Sequence, residues 1–250
     1  MDVAEQLRIL KTARENPALL TLAMVDLVHH ALPAAERSRV KDALLAAAVP
    51  HWCDSGFLSA LLNTTLEESQ RLLGQLRMLT VIEPFPARGE HAVNVHEAAR
   101  LTLRDHLRTT NVVHWKTLSR RALTYVCQGK ETHSRIEALY HLLAIDQHTG
   151  AIACEALARE FSSCGRPEIH HALALALREL TAAGWLMGEA QVEGLLAPLE
   201  VRNSRGESAQ LEAEALPVLD LARQLSYLSG IGRAQHLLGD IFQTKGRYSD

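Results

Sequence analysis

Histidine and cysteine are the residues of this chain whose chemistry depends most directly on spacing, because imidazole and thiolate are the usual ligands of zinc. The chain has 13 histidines and 4 cysteines, including histidine doublets at 29–30 and 170–171 and the run His51-Trp52-Cys53. Neighbours in a helix point about 100° apart, so a doublet cannot bring both rings to one ion, and no cysteines have C-x-x-C spacing. We expect hydrogen-bonded or solvated histidines, buried reduced thiols and no metal.

Catalytic signatures are also missing from the sequence. It contains no G-x-x-x-x-G-K-[ST] phosphate loop, no G-x-S-x-G elbow and no H-E-x-x-H zinc motif. A phosphate loop supplies the backbone cradle and the lysine that hold a nucleoside triphosphate, so the chain alone should not hydrolyse ATP. The sequence predicts a protein that is not an enzyme and has no cofactor of its own.

Composition favours packed helices. Hydrophobic residues make up 47% of the 250 positions and aromatic residues only 4%, and the formal charge of -3 excludes a strongly basic nucleic-acid binder as a whole. No apolar run approaches the roughly 18 residues that span a bilayer. The N-terminal segment has acidic Asp2 and Glu5 instead of a basic and then apolar signal. These features predict a mainly α, cytoplasmic protein without a membrane partner.

Apolar residues recur at three-and-four spacing along most of the chain, which predicts helices. Pro17 suits the first turn of a helix, and Asp54 and Thr65 are suitable N-cap residues. The predicted helices span about 3–13, 18–32, 36–48, 56–62, 66–78, 97–108, 111–127, 132–145, 149–162, 167–183, 189–200, 208–229 and 232–244.

One segment breaks the helical pattern. Residues 80–85 are β-prone, 87–90 form a turn, and 91–95 alternate as a returning strand, which predicts a hairpin. Three helices followed by a two-stranded ribbon are the order of elements in a winged-helix domain. Nine basic and nine acidic residues cancel over 34–108, and the candidate recognition helix begins with Glu67 and Glu68. Reading of a DNA groove is therefore disfavoured.

Charge is unevenly distributed farther along the chain. Residues 98–135 carry a net charge of +6, whereas residues 189–220 carry -5. Two interpretations are open: both are solvated helix faces, or the basic stretch binds an acidic partner or a nucleic-acid backbone and the acidic stretch binds another module. The residues predicted for the basic stretch are Arg100, Arg104, Arg108, Lys116, Arg120 and Arg121.

The segment Val95-His96-Glu97 follows the predicted wing and begins the next helix. Together with the helices around it, it resembles the region downstream of the ATPase core in STAND-class signalling ATPases, the NB-ARC and NACHT group. In that family a Met-His-Asp motif occupies this place, and its histidine contacts the β-phosphate of ADP in the closed, inactive state. The resemblance implies that His96 is a nucleotide sensor if an ATPase core is supplied by a longer chain or by a partner.

A second similarity lies upstream. The segment Glu15-Asn16-Pro17, followed by Ala-Leu-Leu-Thr-Leu-Ala, is similar to the Gly-x-Pro segment of the same family, with Glu15 in place of glycine. In the family this proline packs near the adenine. The resemblance therefore implies that Pro17 belongs to the same nucleotide-sensing face as His96, with ADP or ATP bound only in the completed assembly.

The end of the sequence resembles the start of a tetratricopeptide repeat, in which a Leu-Gly pair allows two helices to approach closely. The matching residues are Leu238, Gly239, Phe242 and Tyr248. Because one repeat cannot bury its apolar face alone, Leu238 and Phe242 should be partly uncovered. The chain is then expected to be a piece of a longer protein or one half of an assembly.

The predicted organisation has three parts: an N-terminal helical pair at 1–33, a winged-helix domain at 34–108, and an α-solenoid at 109–250 that ends in a partial tetratricopeptide repeat. The predicted function is that of a non-catalytic regulatory and protein-interaction module of a STAND-like switch. Its partner would be a protein such as an ATPase, a protease or another effector. A DNA-binding winged-helix regulator and a self-standing helical-repeat adaptor are the alternatives.

Overall fold

The computed structural model describes residues 8, 11, 15–129, 131–163, 167–207 and 210–246. Within these ranges the chain has twelve α-helices and one two-stranded antiparallel sheet, which confirms the predicted mainly α class and the small hairpin. The chain divides into two compact units, Met1–Gln128 and Gly129–Asp250, called here the first and the second unit. The helix predicted at 3–13 lies almost entirely outside the described residues.

Six helices are described in the first unit, and polar side chains cap the N-termini of four of them. Asp54 Oδ1 accepts a hydrogen bond from the Phe57 amide at 2.7 Å, and Thr65 Oγ1 accepts one from the Glu68 amide at 3.2 Å. Both caps were expected from the residue types. The helices are α1 (Pro17–Val28), α2 (Ala34–Ala47), α3 (Ser55–Leu62), α4 (Leu66–Leu76), α5 (Glu97–Thr110) and α6 (Val112–Val126).

The predicted hairpin is formed by β1 (Ile82–Pro84) and β2 (Val93–Val95), which pair in the antiparallel sense with Ile82 opposite Val95. A further pairing was not expected from the sequence. The Cys53 amide donates to the Val93 carbonyl at 2.7 Å, and the Val93 amide donates to the Cys53 carbonyl at 2.8 Å. The connection between α2 and α3 therefore joins β2 on the side away from β1.

The core of the first unit includes α6. Phe57 of α3 stacks on Tyr125 of α6 with ring centroids 4.5 Å apart, and Trp52 meets the same phenylalanine ring edge-on at 5.2 Å. Helix α6 also packs against α5, while α1 packs against α2 and α5. The compact unit thus extends to Gln128, whereas the sequence placed a domain boundary after Arg108 and assigned α6 to the solenoid.

The six helices described in the second unit differ from the prediction at one connection. Helices were predicted at 208–229 and 232–244, and the structure also has two helices here, but the break between them lies at 225–227, with Ser226 at a left-handed φ of 53°. Gly230, predicted to end a helix, lies inside the second of these two. The helices are α7 (Thr132–Ile145), α8 (Gln147–Ser163), α9 (Pro167–Ala182), α10 (Gly188–Ser204), α11 (Leu211–Gln224) and α12 (Leu228–Thr244).

The helices of the second unit form a stack in which each packs against the next one in sequence. Three pairs that are next but one also pack together: α7 with α9, α8 with α10, and α10 with α12. Within the described part of this unit, α9 and α11 do not pack along each other in the same way. The stack is therefore open at that position.

The C-terminal residues chosen for their resemblance to a repeat have different environments. Leu238 is buried in an apolar cluster with side chains of α10 and α11, so the expectation that it is partly uncovered is wrong, whereas Phe242 is half-buried against that cluster. A Cβ built on Gly239 would meet no described atom within 4 Å, so Gly239 does not provide the expected close approach. Tyr248 lies outside the described residues.

Candidate functional site

His96 is the N-cap residue of α5 and is exposed. Its amide donates to the Val81 carbonyl at 2.7 Å, next to strand β1, and its carbonyl accepts from the Arg100 amide at 2.9 Å. Its imidazole makes no capping hydrogen bond to the helix. The backbone of His96 is thus fixed between the hairpin and α5, while its side chain is accessible from solvent.

Pro17 is exposed at the first position of α1, where its missing N–H costs no hydrogen bond. Helix α1 is anchored to the helices after it: Asp26 pairs with Lys41 at 2.6 Å, and the His29 ring donates from Nε2 to the Gln75 carbonyl at 3.0 Å. Because α1 also packs against α5, the helix that begins at Pro17 and the helix that His96 precedes belong to one packed block.

The predicted basic stretch does not form one solvent-exposed face. Arg104 is 0% exposed, and its guanidinium donates to the carbonyl of Ala48 at 2.7 Å and to the carbonyl of Val49. These carbonyls lie just beyond the last residue of α2, where a cation also interacts favourably with the helix dipole. Arg100 is likewise buried. Two of the six predicted contact residues therefore belong to the interior.

The other four residues of the stretch have mixed environments. Arg121 donates to the Leu61 carbonyl at 2.6 Å near the end of α3, and Arg108 pairs with Asp105 at 3.2 Å. Lys116 is half-buried and Arg120 is exposed. The charge available to a partner is much smaller than the net charge of the sequence segment suggested.

The charged residues of α4, the candidate recognition helix, are largely paired. Arg71 donates to both carboxylate oxygens of Glu68 at 2.9 Å and reaches Glu36 at 3.3 Å. These hydrogen bonds from Arg71 lower the pKa of Glu68 below its ordinary value. Arg39 is a second cation 3.2 Å from Glu68. A helix whose cations already face carboxylates is poorly suited to neutralise phosphates.

The carboxylates of the acidic stretch at 189–220 are also paired within the second unit. Each of its seven carboxylates forms an ion pair or a hydrogen bond with a basic side chain, and several of these partners lie outside the stretch. These carboxylates are thus engaged within the unit, and the hypothesis that the stretch binds another module stays a prediction. The pairs are Glu189 with His148, Glu193 and Glu200 with Arg233, Glu207 and Glu214 with Arg202, Glu212 with Lys245, and Asp220 with Arg223.

The centre of this charge network is buried. Glu193 is 0% exposed; it lies 2.5 Å from Arg233 Nη1, and Tyr227 donates its hydroxyl to it at 2.9 Å. Arg233 also forms a two-pronged contact with Glu200 at 2.9 and 2.7 Å. Burial raises the pKa of Glu193, although Arg233 and Tyr227 oppose the shift. Burial works against the charge of Arg233, but Glu200 and Glu193 outweigh it and raise its pKa.

The described cysteines and histidines do not form a recognisable reactive centre. Burial raises the pKa of the Cys53 and Cys154 thiols, which keeps them protonated and poorly nucleophilic. Among the described residues, no group of three or more His, Cys, Asp or Glu side chains is arranged to hold a metal ion. In the same part of the chain, no helix has the length and apolar character needed to cross a membrane.

The described part of the second unit includes two grooves that are large enough to hold a ligand or a segment of a partner. One has a volume of about 690 Å³ and includes His170, Glu200 and Arg233 in its wall. The other has a volume of about 740 Å³ and lies where the stack is open, between α9 and α11 over α10. It includes Arg178 of α9 and Arg205 just after α10, which could not be singled out from the sequence, because an exposed arginine carries no signal for a groove.

Comparison with known proteins does not add a family to these observations. No protein-family model matches the chain, and neither a curated protein nor a solved structure matches it. The structure itself provides two candidate sites in this chain. One is the block of α1 and α5 that bears the exposed residues Pro17 and His96, and the other is the groove between α9 and α11.

Proposed function

We propose that this chain is a non-catalytic regulatory and protein-interaction module, with a winged helix in the first unit and an α-solenoid in the second. The order of helices and hairpin over 34–108 supports the winged helix, and so does the pairing of Cys53 with Val93, which ties the helices to the wing. The packing of consecutive and next-but-one helices supports a solenoid.

The observation that carries the regulatory part is the packing of α1 against α5, with Pro17 and His96 both exposed at their first turns. In the STAND-class ATPases that this region resembles, the corresponding proline and histidine face one nucleotide. The exposed imidazole of His96 is accessible to an ATPase core from a longer chain or from a partner. ADP or ATP would then be held by that core and sensed by His96.

Affinity purification of the tagged chain from a nuclease-treated lysate of its source organism, read by mass spectrometry, tests this proposal. We expect recovery of a phosphate-loop ATPase or an effector, stronger with added ADP than with ATP, and weaker recovery with His96→Ala. His91→Ala is the matched control, because His91 is another exposed histidine of the same unit. Recovery that is equal for both variants and insensitive to nucleotide would exclude the sensor role.

A self-standing adaptor is the second candidate, and the groove between α9 and α11 favours it. An adaptor would recover the same proteins whatever nucleotide is added and whichever histidine is replaced. DNA binding has less support, since Arg71 is paired with Glu68 and Glu36 and Arg104 is buried. A mobility shift with duplex DNA that weakens with salt and with Arg120→Ala would reverse this ranking.

A further inference from the structure

The groove over α10 has an apolar floor. Ala174 and Leu175 come from α9, Leu195 and Pro198 from α10, and Val218 from α11. Leu175 is 42% exposed although it is a large apolar side chain in a groove. Pro198 has no amide hydrogen, so it removes the Gly194 carbonyl from the hydrogen-bond ladder of α10. The floor thus leaves apolar surface uncovered beside a backbone carbonyl that lacks its helical donor.

Some of the charged side chains at the rim of the groove have partners of opposite charge within the described residues, and others do not. Glu214 and Glu207 both pair with Arg202, at 2.6 and 3.4 Å, and Arg202 lowers the pKa of Glu214 through its hydrogen bonds. Within the part of the chain that the structure describes, the guanidinium groups of Arg178 and Arg205 bond to no other side chain, and both are exposed. The groove therefore offers two uncommitted cations above an apolar floor.

The shape of the groove suits a helix. Elsewhere in this unit, next-but-one helices fill the corresponding space by packing together, as α8 does with α10 and α10 with α12. Between α9 and α11 that space is left as a volume of about 740 Å³. An amphipathic helix that lays its apolar face into a hydrophobic groove is a common mode of recognition.

We infer that the groove between α9 and α11 binds an acidic amphipathic helix of a partner protein. Its apolar face packs on Leu175, Leu195 and Pro198, and carboxylates along its edges pair with Arg178 and Arg205. A nucleic-acid backbone fits less well, because the groove contains two glutamates and offers an apolar floor where phosphates need cations. This inference rests on the proposed function in one respect, which is that the partner is a protein.

The test uses the full chain and a displayed library of helix-forming peptides about four turns long. Their apolar positions follow the i, i+3, i+4, i+7 pattern, and the flanking positions vary among Glu, Lys, Gln and Ala. The library is selected in parallel on the wild type and on Arg178→Glu/Arg205→Glu. We expect enrichment of glutamate-rich peptides on the wild type and not on the double variant.

An enriched peptide, labelled and titrated by fluorescence anisotropy, should bind the wild type at one site and more weakly as salt is added. Its affinity should fall at least about tenfold for the double variant, which repels its carboxylates, and for Leu175→Glu. Arg223→Glu should bind like the wild type, because Arg223 is an exposed arginine outside the groove. Circular dichroism checks that all variants are folded, since every replaced side chain is exposed.

Three outcomes would overturn the inference. The first is that no peptides are enriched on the wild type relative to the double variant, and the second is that the enriched peptides are lysine-rich or uncharged. The third is dimerisation of the wild type that Leu175→Glu abolishes, which would assign the groove to a second copy of this chain. The regulatory proposal is tested separately through His96 in the first unit. Nucleotide-dependent recovery of an ATPase without enrichment of acidic peptides would support the regulatory proposal and refute the acidic-helix inference. Enrichment of acidic peptides without nucleotide-dependent recovery would support the acidic-helix inference and refute the sensor role of His96.

Discussion

Arg104 of the first unit and Arg233 of the second unit both hold a guanidinium among packed helices, but they face different groups. Arg104 donates to the carbonyls of Ala48 and Val49 at the end of α2, which carry no net charge. Arg233 contacts the carboxylates of Glu193 and Glu200. The first arrangement joins a cation to a helix terminus, whereas the second depends on one cation that is shared by two carboxylates. We therefore expect the two units to respond differently to neutral substitutions.

Arg233→Met should have the largest effect. We expect it to lower the unfolding free energy of the second unit by roughly 3–5 kcal/mol, because it leaves a buried carboxylate without its cation. Urea unfolding followed by pulsed hydrogen exchange and mass spectrometry measures each unit through its own peptides. The triple variant Glu193→Gln/Glu200→Gln/Arg233→Met should recover much of the loss. A triple variant less stable than Arg233→Met would contradict this account.

Arg104→Met should lower the unfolding free energy of the first unit by roughly 2–3 kcal/mol, because two buried carbonyls lose their donor. Arg104→Lys should recover part of this stability, since an ammonium group can still donate to a helix terminus. The same exchange measurement should show no change in peptides of the second unit. A loss as large as that of Arg233→Met would show that a backbone-paired arginine is no easier to replace than one paired with carboxylates.

The pH dependence should separate the two arginine sites next. The folded pKa of Glu193 is raised, so its contribution is present at low pH and declines as the pH rises through that pKa. Glu193→Gln keeps the neutral form, and its stability relative to the wild type should therefore improve between pH 4 and pH 7. The difference in stability between Arg104→Met and the wild type should not change over this pH range. Urea midpoints at several pH values test both trends.

The smallest effects should come from packing and involve two glycines of α12. A Cβ on Gly230 would lie 2.5 Å from Tyr227 Cδ1 and 2.8 Å from Val192 Cγ1, so Gly230→Ala should destabilise the second unit by about 1–3 kcal/mol. Gly239→Ala meets no described atom and should stabilise the unit by up to about 1 kcal/mol through helix propensity. Thermal unfolding of the two variants gives the change in stability that each substitution causes. Changes of the same sign for Gly230→Ala and Gly239→Ala would contradict the packing described for this helix.

The parts of the fold that follow local rules could be predicted from the sequence. Asp54 and Thr65 cap helices because their side chains bond amides only three residues away. The hairpin follows from alternating apolar residues around a turn. The position of the break before α12 could not be predicted, because it depends on a left-handed serine, Ser226, and not on the nearby Gly230. That glycine instead serves helix packing, which a single sequence does not reveal.

The candidate sites were harder to predict than the helices. The interior position of Arg104 could not be predicted, because its acceptors are backbone carbonyls, which every residue has. The acidic stretch looked unpaired because two of its partners, Arg233 and Lys245, come after it in sequence and reach it only through the packing of α12. Arg178 and Arg205 line a groove only because α9 and α11 do not pack along each other, which the sequence does not reveal. The STAND-like role of Pro17 and His96 stays a prediction.

The bridge between Cys53 and Val93 should link the formation of the hairpin to that of the helices, because it joins strand β2 to the connection between α2 and α3. The second hydrogen-bonded neighbour of strand β2 is the connection that follows α2, and α3, α4 and β1 lie between the two in sequence. Pairing over such a sequence separation must close a long loop, which slows folding and favours a concerted transition over independent formation of a hairpin. The Val93 amide should accordingly exchange with solvent only when the surrounding helices unfold.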